Sequence, residues 1–507
     1  PSTPPTTNAP PPVTALFEDK SAALNHQHVS RPFDDFSLQP LLPRRLSTLG
    51  PGVAWADLDG DGRDELIVGG PPLAVFKNRP DGTFVPQTNA MPGAPGPSVD
   101  SGIVAWQGSN GGVQVLVGHS HSEPNLTNTA LFHSVSLGSA GGPTAPLSSD
   151  ATGRSSVGPL AMADVDGDGQ LDLFVGGRYL PGRYPEPAPS VILRNVGGHF
   201  STLATFETRG LVCGAVFFDA DGDGDPDLAL ACDWGRIELF RNDQGKFTPI
   251  TDAMGLGKYR GWWNGVATGD FDGDGRMDLV ASNWGRNWSP DHAAGTEATV
   301  RLYYGNLGQD ESVHTLIASL DPGTGKWLPW RERKVLVADI PLVAERAPNY
   351  HAYGHMGVEE LLGNQLAQSR QLEINAPESM VFLNRGDHFE AQRLPIEAQF
   401  APAFGVVVAD WDGNGTDDVF LAQNFFGVDE ETSRHDGGLG LVLLGDGRGG
   451  FRSIGPLESG ISIAGEQRGA AAADYDGDGR MDLAVAQNNG ATRLFRNAQA
   501  RPGLRLK

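Results

Sequence analysis

The sequence has few basic residues, no long apolar run and no familiar catalytic motif. It carries 38 Lys and Arg against 62 Asp and Glu, a formal net charge of −24. That charge excludes binding to nucleic acid or to an anionic membrane through a basic surface. No apolar run approaches the roughly 18 residues of a membrane-spanning helix, so we expect no transmembrane segment. The GxSxG, HExxH, P-loop and dinucleotide-binding patterns are missing, so no catalytic residue is assigned.

Glycine and proline, in contrast, are abundant. The chain contains 68 Gly and 37 Pro, which predict many turns, and 39% apolar residues, which suffice for a globular core. Residues 1–14, PSTPPTTNAPPPVT, are rich in Pro and Thr and carry no charge, which is typical of an extended tether. Such tethers often follow the lipidated cysteine of a bacterial surface lipoprotein. A lipid anchor upstream of residue 1 is one expectation, and a disordered chain end is the other.

An acidic block recurs along the chain and predicts the fold. In each copy an apolar string leads into a loop such as DADGDGDPD and out into a second apolar string, and further strand-like strings with a turn follow. The six copies span residues 55–70, 162–177, 217–232, 268–283, 408–423 and 472–487. A seventh position, 104–119, keeps the apolar flanks without the acids. Four short antiparallel strands per repeat indicate an all-β fold, a β-propeller of four-stranded blades.

Counting the degenerate copy gives seven blades, and the long gap between Asp270 and Asp410 adds a partly helical insertion at about 306–375. Residues 300–320 resemble a degenerate copy of the loop and its strands, which makes eight blades the alternative. The string ALFEDKSAALN at 15–25 resembles a fourth strand, which the last repeat lacks. We therefore expect one propeller over 15–499, closed by its N-terminal strand, with a C-terminal tail at 500–507.

The acidic loops predict metal sites. Numbered from its first aspartate, a loop has acids at positions 1, 3, 5 and 9, Gly at 4 and 6, and a backbone carbonyl offered by position 7. Alternate side chains on a curled loop supply the six to eight oxygens that calcium prefers, so we expect about six calcium ions. The predicted ligand residues are Asp57, Asp59, Asp61, Arg63, Glu65, Asp164, Asp166, Asp168, Gln170, Asp172, Asp219, Asp221, Asp223, Asp225, Asp227, Asp270, Asp272, Asp274, Arg276, Asp278, Asp410, Asp412, Asn414, Thr416, Asp418, Asp474, Asp476, Asp478, Arg480 and Asp482.

These loops are not EF-hands, because position 12 is apolar in all six instead of glutamate. The alternative is a set of solvated Asp-Gly turns without metal, which the sixfold repetition of one spacing disfavours. Asn414 replaces an acid at position 5, so we expect its loop to bind calcium most weakly. Glu65 stands at position 9 of the first loop, where its longer side chain is expected to play the same role as aspartate. The calcium is expected to be structural.

The two cysteines flank one acidic loop, Cys213 before it and Cys232 after it. On an antiparallel hairpin they could face each other, which predicts a disulfide, and two buried free thiols are the alternative. Calcium and a disulfide would both indicate an extracellular, cell-surface or periplasmic location.

The DxDGDGxxDL loops and trailing FRN strands resemble FG-GAP/VCBS repeats, which also occur in integrin α chains. The strings FEDKSAALNHQH, GPGVAWADLDGDG and LPIEAQFAPAFGVVVADWDGNGTDDVFLAQN resemble, more narrowly, the cartilage acidic protein or ASPIC/UnbV group. This resemblance covers nearly all of residues 15–499. It implies a secreted or surface calcium-binding propeller, for which most relatives have no assigned reaction. We expect this chain to lack the C-terminal module of that group beyond GLRLK, so no function of that module is transferred to it.

Two functional classes remain. The favoured class is a non-catalytic binding or scaffolding propeller for a protein or polysaccharide partner, and the alternative is a calcium-dependent polysaccharide lyase or hydrolase. Aromatic residues cluster in YRGWWNG and NWGRNWSPDH, with Trp327 and Trp330 in the insertion. Blade cores account for some of them, and a glycan site is the other interpretation. The RGD at 385–387 is expected to be an ordinary turn between strands.

Overall fold

The computed structural model describes residues 14–87, 98–108, 112–122, 132–137, 155–207, 210–288, 299–308 and 310–503. The described residues of the first half of the chain form sixteen strands. They are β1 (Phe17–Asp19), β2 (Val53–Ala56), β3 (Glu65–Val68), β4 (Ala74–Asn78), β5 (Phe84–Pro86), β6 (Ser98–Gln107), β7 (Val113–His121), β8 (Phe132–Leu137), β9 (Val157–Ala163), β10 (Asp172–Gly177), β11 (Ser190–Val196), β12 (His199–Phe206), β13 (Leu211–Phe218), β14 (Asp227–Gly235), β15 (Ile237–Asp243) and β16 (Lys246–Pro249).

Sixteen further strands follow. They are β17 (Gly261–Trp262), β18 (Gly265–Gly269), β19 (Asp278–Ser282), β20 (Val300–Gly305), β21 (His314–Asp321), β22 (Lys326–Pro329), β23 (Arg370–Ile374), β24 (Met380–Asn384), β25 (Phe389–Arg393), β26 (Ala403–Ala409), β27 (Asp418–Gln423), β28 (Leu441–Gly445), β29 (Phe451–Ile454), β30 (Glu466–Ala473), β31 (Asp482–Asn488) and β32 (Arg493–Asn497).

Helices are few and short. Among the described residues they are α1 (Asp35–Leu38), α2 (Arg333–Asp339), α3 (Leu342–Arg346), α4 (Tyr350–Gly354), α5 (Val358–Leu362) and α6 (Pro456–Ser459). Four of the six lie in the insertion, where the sequence predicted helices. In the part of the chain that is described, no helix has the length and apolar character needed to cross a membrane.

The strands form antiparallel sheets, and seven of these sheets contact one another in a closed cycle. The sheets are β2–β5, β6–β8, β9–β12, β13–β16, β18–β19–β24–β25, β26–β29 and β30–β32 with β1. The first strand of each sheet contacts the first strand of the next, in the order β2, β6, β9, β13, β18, β26, β30 and back to β2. The predicted all-β, propeller-like fold is confirmed, and the number of blades, seven or eight, stays a prediction.

The ends of the chain meet in one sheet. Strand β1 pairs antiparallel with β32, with Phe17 opposite Asn497 and Asp19 opposite Phe495. Residues after β32 stay close to the last acidic loop, since Gly503 N–H donates to Gly479 O at 2.7 Å. The tether predicted for 1–14 lies almost wholly outside the described residues, as do the last four residues of the predicted tail.

The insertion interrupts one sheet between β19 and β24, which pair directly with each other. Within it, strands β22–β21–β20–β23 form a separate four-stranded sheet. The degenerate copy at 300–320 therefore does form two paired strands, but their sheet lies outside the closed cycle of seven sheets. One buried cluster joins this sheet to the helices through Tyr303, Leu316, Leu336 and Leu361. A second cluster packs Leu302 and Ile317 against tryptophans of the ring.

Candidate metal centres

Each acidic loop is the turn between the first and second strands of a sheet. Glycines at positions 4 and 6 have left-handed backbones, for example Gly222 at φ 81° and Gly224 at φ 92°. A Cβ at either glycine would meet no atom within 4 Å, so backbone conformation and not crowding requires glycine there. The curled backbone turns its N–H groups inward, towards the first aspartate.

The acid at position 1 holds this curl. Asp219 accepts hydrogen bonds from Gly222 N at 2.7 Å and from Gly224 N at 3.0 Å. The bond from the position 6 glycine recurs at 2.8–3.1 Å in the other five loops, at Asp57, Asp164, Asp270, Asp410 and Asp474. The carboxylate at position 5 in turn accepts from the backbone N–H of position 7, as at Asp223 and Asp225, 2.9 Å apart. The position 7 carbonyl remains a predicted ligand.

The acid at position 9 is buried and joins the loop to the third strand of its sheet. Asp227 accepts from Ala220 N at 2.9 Å, inside the loop, and from Asn242 N at 2.7 Å, on the third strand. Equivalent pairs of backbone hydrogen bonds, at 2.7–3.2 Å, hold Asp172, Asp278, Asp418 and Asp482.

Burial raises the pKa of these position 9 acids, and the neighbouring loop carboxylates add to the rise. The pKa reaches about 6 for Asp227 and Asp278, about 7 for Glu65 and Asp418, and about 8 for Asp482. A buried carboxylate with a raised pKa lacks a counter-charge. A bound cation would supply that charge, so these residues fit a metal ion.

Carboxylate oxygens converge within the loops. In four loops, oxygens from positions 1, 3 and 9 lie within 4.8 Å of one another, and in the first loop oxygens from positions 1, 3 and 5 do so. The groups are Asp57, Asp59 and Asp61; Asp164, Asp166 and Asp172; Asp219, Asp221 and Asp227; Asp270, Asp272 and Asp278; and Asp410, Asp412 and Asp418. Such oxygen-only donor sets suit hard cations, and the Asp clusters can therefore hold metal ions.

Basic side chains from the third strand lie beside these acids, which the sequence analysis did not anticipate. Arg496 reaches Asp476 at 2.6 Å and Asp478 at 2.9 Å, and Arg194 reaches Asp166 at 2.6 Å. Lys77 pairs with Asp59 in the same way. The sequence feature that could have predicted these ion pairs is the Lys or Arg that precedes the Asn of the recurring FRN string. These cations offset part of the loop's negative charge.

The Asn of that string links neighbouring sheets, and this role was also missed. Asn242 Nδ2 donates to Val165 O at 2.9 Å, which is position 2 of the preceding sheet's acidic loop. The same bond recurs at 2.6–2.8 Å from Asn78, Asn384 and Asn497. In the sheet where Gly445 replaces the Asn, the backbone N–H of Gly449 donates to Phe271 O instead, at 2.9 Å. Each of these loops is thus fastened to the next sheet.

The predicted disulfide is not formed, since Cys213 and Cys232 are both free thiols. A β-bulge between Val212 and Gly214 shifts the register, so Val212 and not Cys213 lies opposite Cys232. Cys213 Sγ points to Leu211 O at 3.4 Å. Simple hairpin spacing could not reveal the bulge.

At the other end of the sheets, ionisable groups converge in a sealed core. Arg44 donates to Asp233 at 2.6 Å, and Trp234 Nε1 donates to the Tyr184 hydroxyl at 2.8 Å. Arg44 and Asp233 are each 1% exposed and Tyr184 is 0% exposed. Burial and the charge of Asp233 raise the pKa of Tyr184 well above its usual value. These groups are sealed from solvent and from any substrate, and two of their atoms, Arg44 Nε and Asp233 Oδ1, have no hydrogen-bond partner.

Comparisons with known proteins support the repeat interpretation. A family model described as FG-GAP-like repeat matches residues 186–281, which include the loops at 219–227 and 270–278. This is less than half of the chain, so the match supports FG-GAP-like repeats in that part. The narrower resemblance to the ASPIC/UnbV group is not confirmed. Comparison with curated protein sequences finds no significant match.

Comparison with solved structures finds similar chains at low identity. The chain is similar to the V. cholerae biofilm matrix protein Bap1, with 12% identity, a TM-score of 0.40 and coverage of 97% of this chain and 92% of that chain. BBS1N in complex with ARL6DN is 10% identical, with a TM-score of 0.45 and coverage of 96% of this chain and 99% of that chain. Bacillus licheniformis rhamnogalacturonan lyase PL11 is 14% identical, with a TM-score of 0.35 and coverage of 95% of this chain and 76% of that chain. All three TM-scores are below 0.5, so none of these proteins indicates what this chain binds.

Proposed function

We propose that this chain is an extracellular, calcium-stabilised β-propeller that acts as a non-catalytic binding or scaffolding protein for a protein or polysaccharide partner. The observation that carries the proposal is the position of the carboxylates. They converge in the first turn of five sheets, far in sequence from one another, and their position 9 acids accept backbone hydrogen bonds from the loop and from the third strand. A cation in such a place would tie the loop to its sheet, and none of its predicted ligands lines the cavity between the insertion and the ring.

Calcium is the ion that the donor set favours, because the ligands are carboxylate and carbonyl oxygens on a tolerant loop. With a Kd on the order of 10⁻⁴ M, millimolar calcium would stabilise the fold by about 1.4 kcal/mol per site. Millimolar calcium is typical outside the cytoplasm, so we assign the protein to the cell surface, the periplasm or the extracellular space. The proposed set is about six ions.

Catalysis is the weaker candidate. A polysaccharide lyase or hydrolase needs a base or acid that reaches its substrate, and the arginine, tyrosine and aspartate that converge at the end of the ring are sealed. An assay for product release from acidic and neutral polysaccharides separates the two functions. A scaffold retains the polysaccharide without releasing oligosaccharides.

The calcium proposal is tested by thermal unfolding of the full chain. We expect excess EDTA to lower the melting temperature by more than 10 °C and calcium to restore it, whereas equal magnesium should restore it only in part because magnesium demands stricter geometry. As a control, Asp387→Asn removes an exposed acid outside the loops and should leave the calcium response unchanged. A melting temperature that does not respond to EDTA would contradict the proposal.

A further inference from the structure

A cavity of about 980 Å³ opens between the insertion and the ring. Its walls come from the insertion sheet near Trp330, from the segment after β19 near Trp288, and from the loop 429–435 that follows β27. The volume is at the upper end of ordinary ligand pockets, about 300–1,000 Å³. None of the predicted metal ligands lines it, so this cavity is separate from the acidic loops.

Tryptophans dominate one wall. Trp330 is half-buried, its ring lies 5.0 Å from that of Trp288, and Trp288 lies 5.4 Å from Trp262. Trp262 and Trp284 are in turn 4.4 Å apart. The backbone of Trp330 is fixed by its N–H, which donates to Ile317 O at 3.0 Å. The Trp330 ring stands at 74° to that of Trp288, and Trp288, Trp284 and Trp262 are buried behind it. Trp330 can therefore offer one firmly supported apolar ring at low entropic cost.

Charged side chains on the other wall are mostly paired. Arg331 pairs with Asp429 and also donates to Leu42 O at 2.5 Å. Asp429 accepts in addition from Thr432 Oγ1 at 2.7 Å. The guanidinium and the carboxylate are therefore held in fixed positions beside the aromatic surface, where they can exchange hydrogen bonds with hydroxyl groups.

The charges of the lining disfavour an anionic ligand. Three acids, Glu332, Asp429 and Glu431, outnumber two arginines, Arg331 and Arg434. The whole chain carries a formal charge of −24. Burial lowers the pKa of His435, so this lining imidazole adds no positive charge near neutral pH. Lys334 pairs with Glu332 and Glu431, so the cavity has no excess of positive charge. A polyanion would gain no attraction here and would be repelled by the negative charge of the whole chain, whereas an uncharged ligand would not.

We infer that this cavity is a carbohydrate site that takes uncharged sugar rings, stacked on Trp330 and hydrogen-bonded through Arg331 and Asp429. The C–H face of a pyranose is apolar and matches a tryptophan surface, while its hydroxyl groups match a fixed guanidinium and carboxylate. The inference rests on the proposed binding function and names the partner as a neutral polysaccharide. A protein partner is an outcome of the test.

The test is titration of the full, calcium-loaded chain with neutral oligosaccharides, namely gluco-, xylo- and manno-oligomers, and with oligogalacturonate of the same length. Intrinsic tryptophan fluorescence and calorimetry report binding. We expect at least one neutral series to bind, oligogalacturonate to bind at least tenfold more weakly, and Trp330→Ala to weaken binding by tenfold or more. Trp330→Tyr should retain part of the affinity because it keeps a stacking ring.

The matched control is Trp327→Ala. Trp327 lies on β22, the strand that ends immediately before Trp330. Trp327 does not line the cavity and instead stacks under Arg301 at 3.9 Å, so its loss should leave sugar affinity unchanged once calcium-dependent melting shows a folded protein. The cavity assignment is overturned if Trp330→Ala binds sugar as tightly as the unaltered chain does. It is also overturned if oligogalacturonate binds more tightly than the neutral oligosaccharides. Neither result would contradict the binding function. Absence of binding to every neutral series also overturns the cavity assignment. The binding function itself fails only if the unaltered chain captures neither polysaccharide nor purified protein partners.

Discussion

At the scale of single residues, the most informative group is the acid at position 9 of each loop. Its two oxygens accept backbone hydrogen bonds, for instance Asp482 from Tyr475 N at 3.2 Å and from Asn497 N at 2.7 Å. Hydrogen bonds favour the ionised form, but burial and the nearby loop acids outweigh them and raise the pKa of Asp482 to about 8. This acid thus needs a proton or a cation as a partner.

This raised pKa predicts how pH acts on the metal-free protein. The unfolded pKa is near 3.8 and the folded pKa of Asp482 is about 8, so the folded state binds more protons between these values and its stability falls as pH rises through that window. We expect the melting temperature in EDTA to fall from pH 5 to pH 8. With saturating calcium the fall should disappear, because the cation replaces the proton. A melting temperature in EDTA that rises over this range would contradict the assignment.

At the scale of sheets, neighbouring elements are joined by side-chain amides as well as by apolar packing. Asn242 is 0% exposed and spans from its own sheet to the loop of the preceding sheet. Its Oδ1 also accepts from Gly245 N at 2.8 Å, which fixes the turn between β15 and β16. One side chain therefore connects a loop, a strand and a turn.

Asn242→Ala should destabilise the calcium-loaded protein by about 1–3 kcal/mol, since it leaves the buried Val165 carbonyl without its donor. Denaturant unfolding measures the change. Asn195→Ala is the matched control, because Asn195 Nδ2 donates to Leu171 O within its own sheet at 3.1 Å and Leu171 is 41% exposed. Its cost should be smaller. Equal costs would show that the bond between sheets has no special weight.

Repetition explains what could be predicted at this scale. Six copies of one spacing indicated the sheets, the loops and the converging acids, because those depend on local sequence. The partner of Asn242 is 77 residues away, and the bulge at Cys213 depends on its neighbouring strand, so neither follows from local spacing. The sheet that joins β20 to β23 was missed as a unit because the helices α2–α5 separate its strands. Residues 300–320 alone showed only its first half.

At the scale of the whole molecule, the ring is closed by pairing the two ends of the chain. Phe17 is 2% exposed and packs edge-on against Trp411, with ring centroids 5.6 Å apart. Leu16 N–H donates to Glu458 O at 2.9 Å, and Ala498 N–H donates to Leu16 O at 2.9 Å. The N-terminal strand thus contacts two neighbouring sheets.

Phe17→Ala should cost about 3–5 kcal/mol, the usual range for truncating a buried phenylalanine, and should expose the edge of β32. We expect a lower unfolding midpoint in denaturant and concentration-dependent association on heating. Glu18→Ala, at an exposed position of the same strand, serves as the control and should change the midpoint little. If both variants unfolded alike, β1 would contribute little to closure.

The pairing of β1 with β32 also governs the timing of folding during synthesis. Asp19 and Arg493 form an ion pair across 474 residues. At about 5–20 residues per second, a ribosome needs about 25–95 s to make the intervening chain. During that interval β1 has been translated but its partner strand has not. We therefore expect the nascent chain to be an open arc of sheets throughout this interval, until β32 is made and pairs with β1.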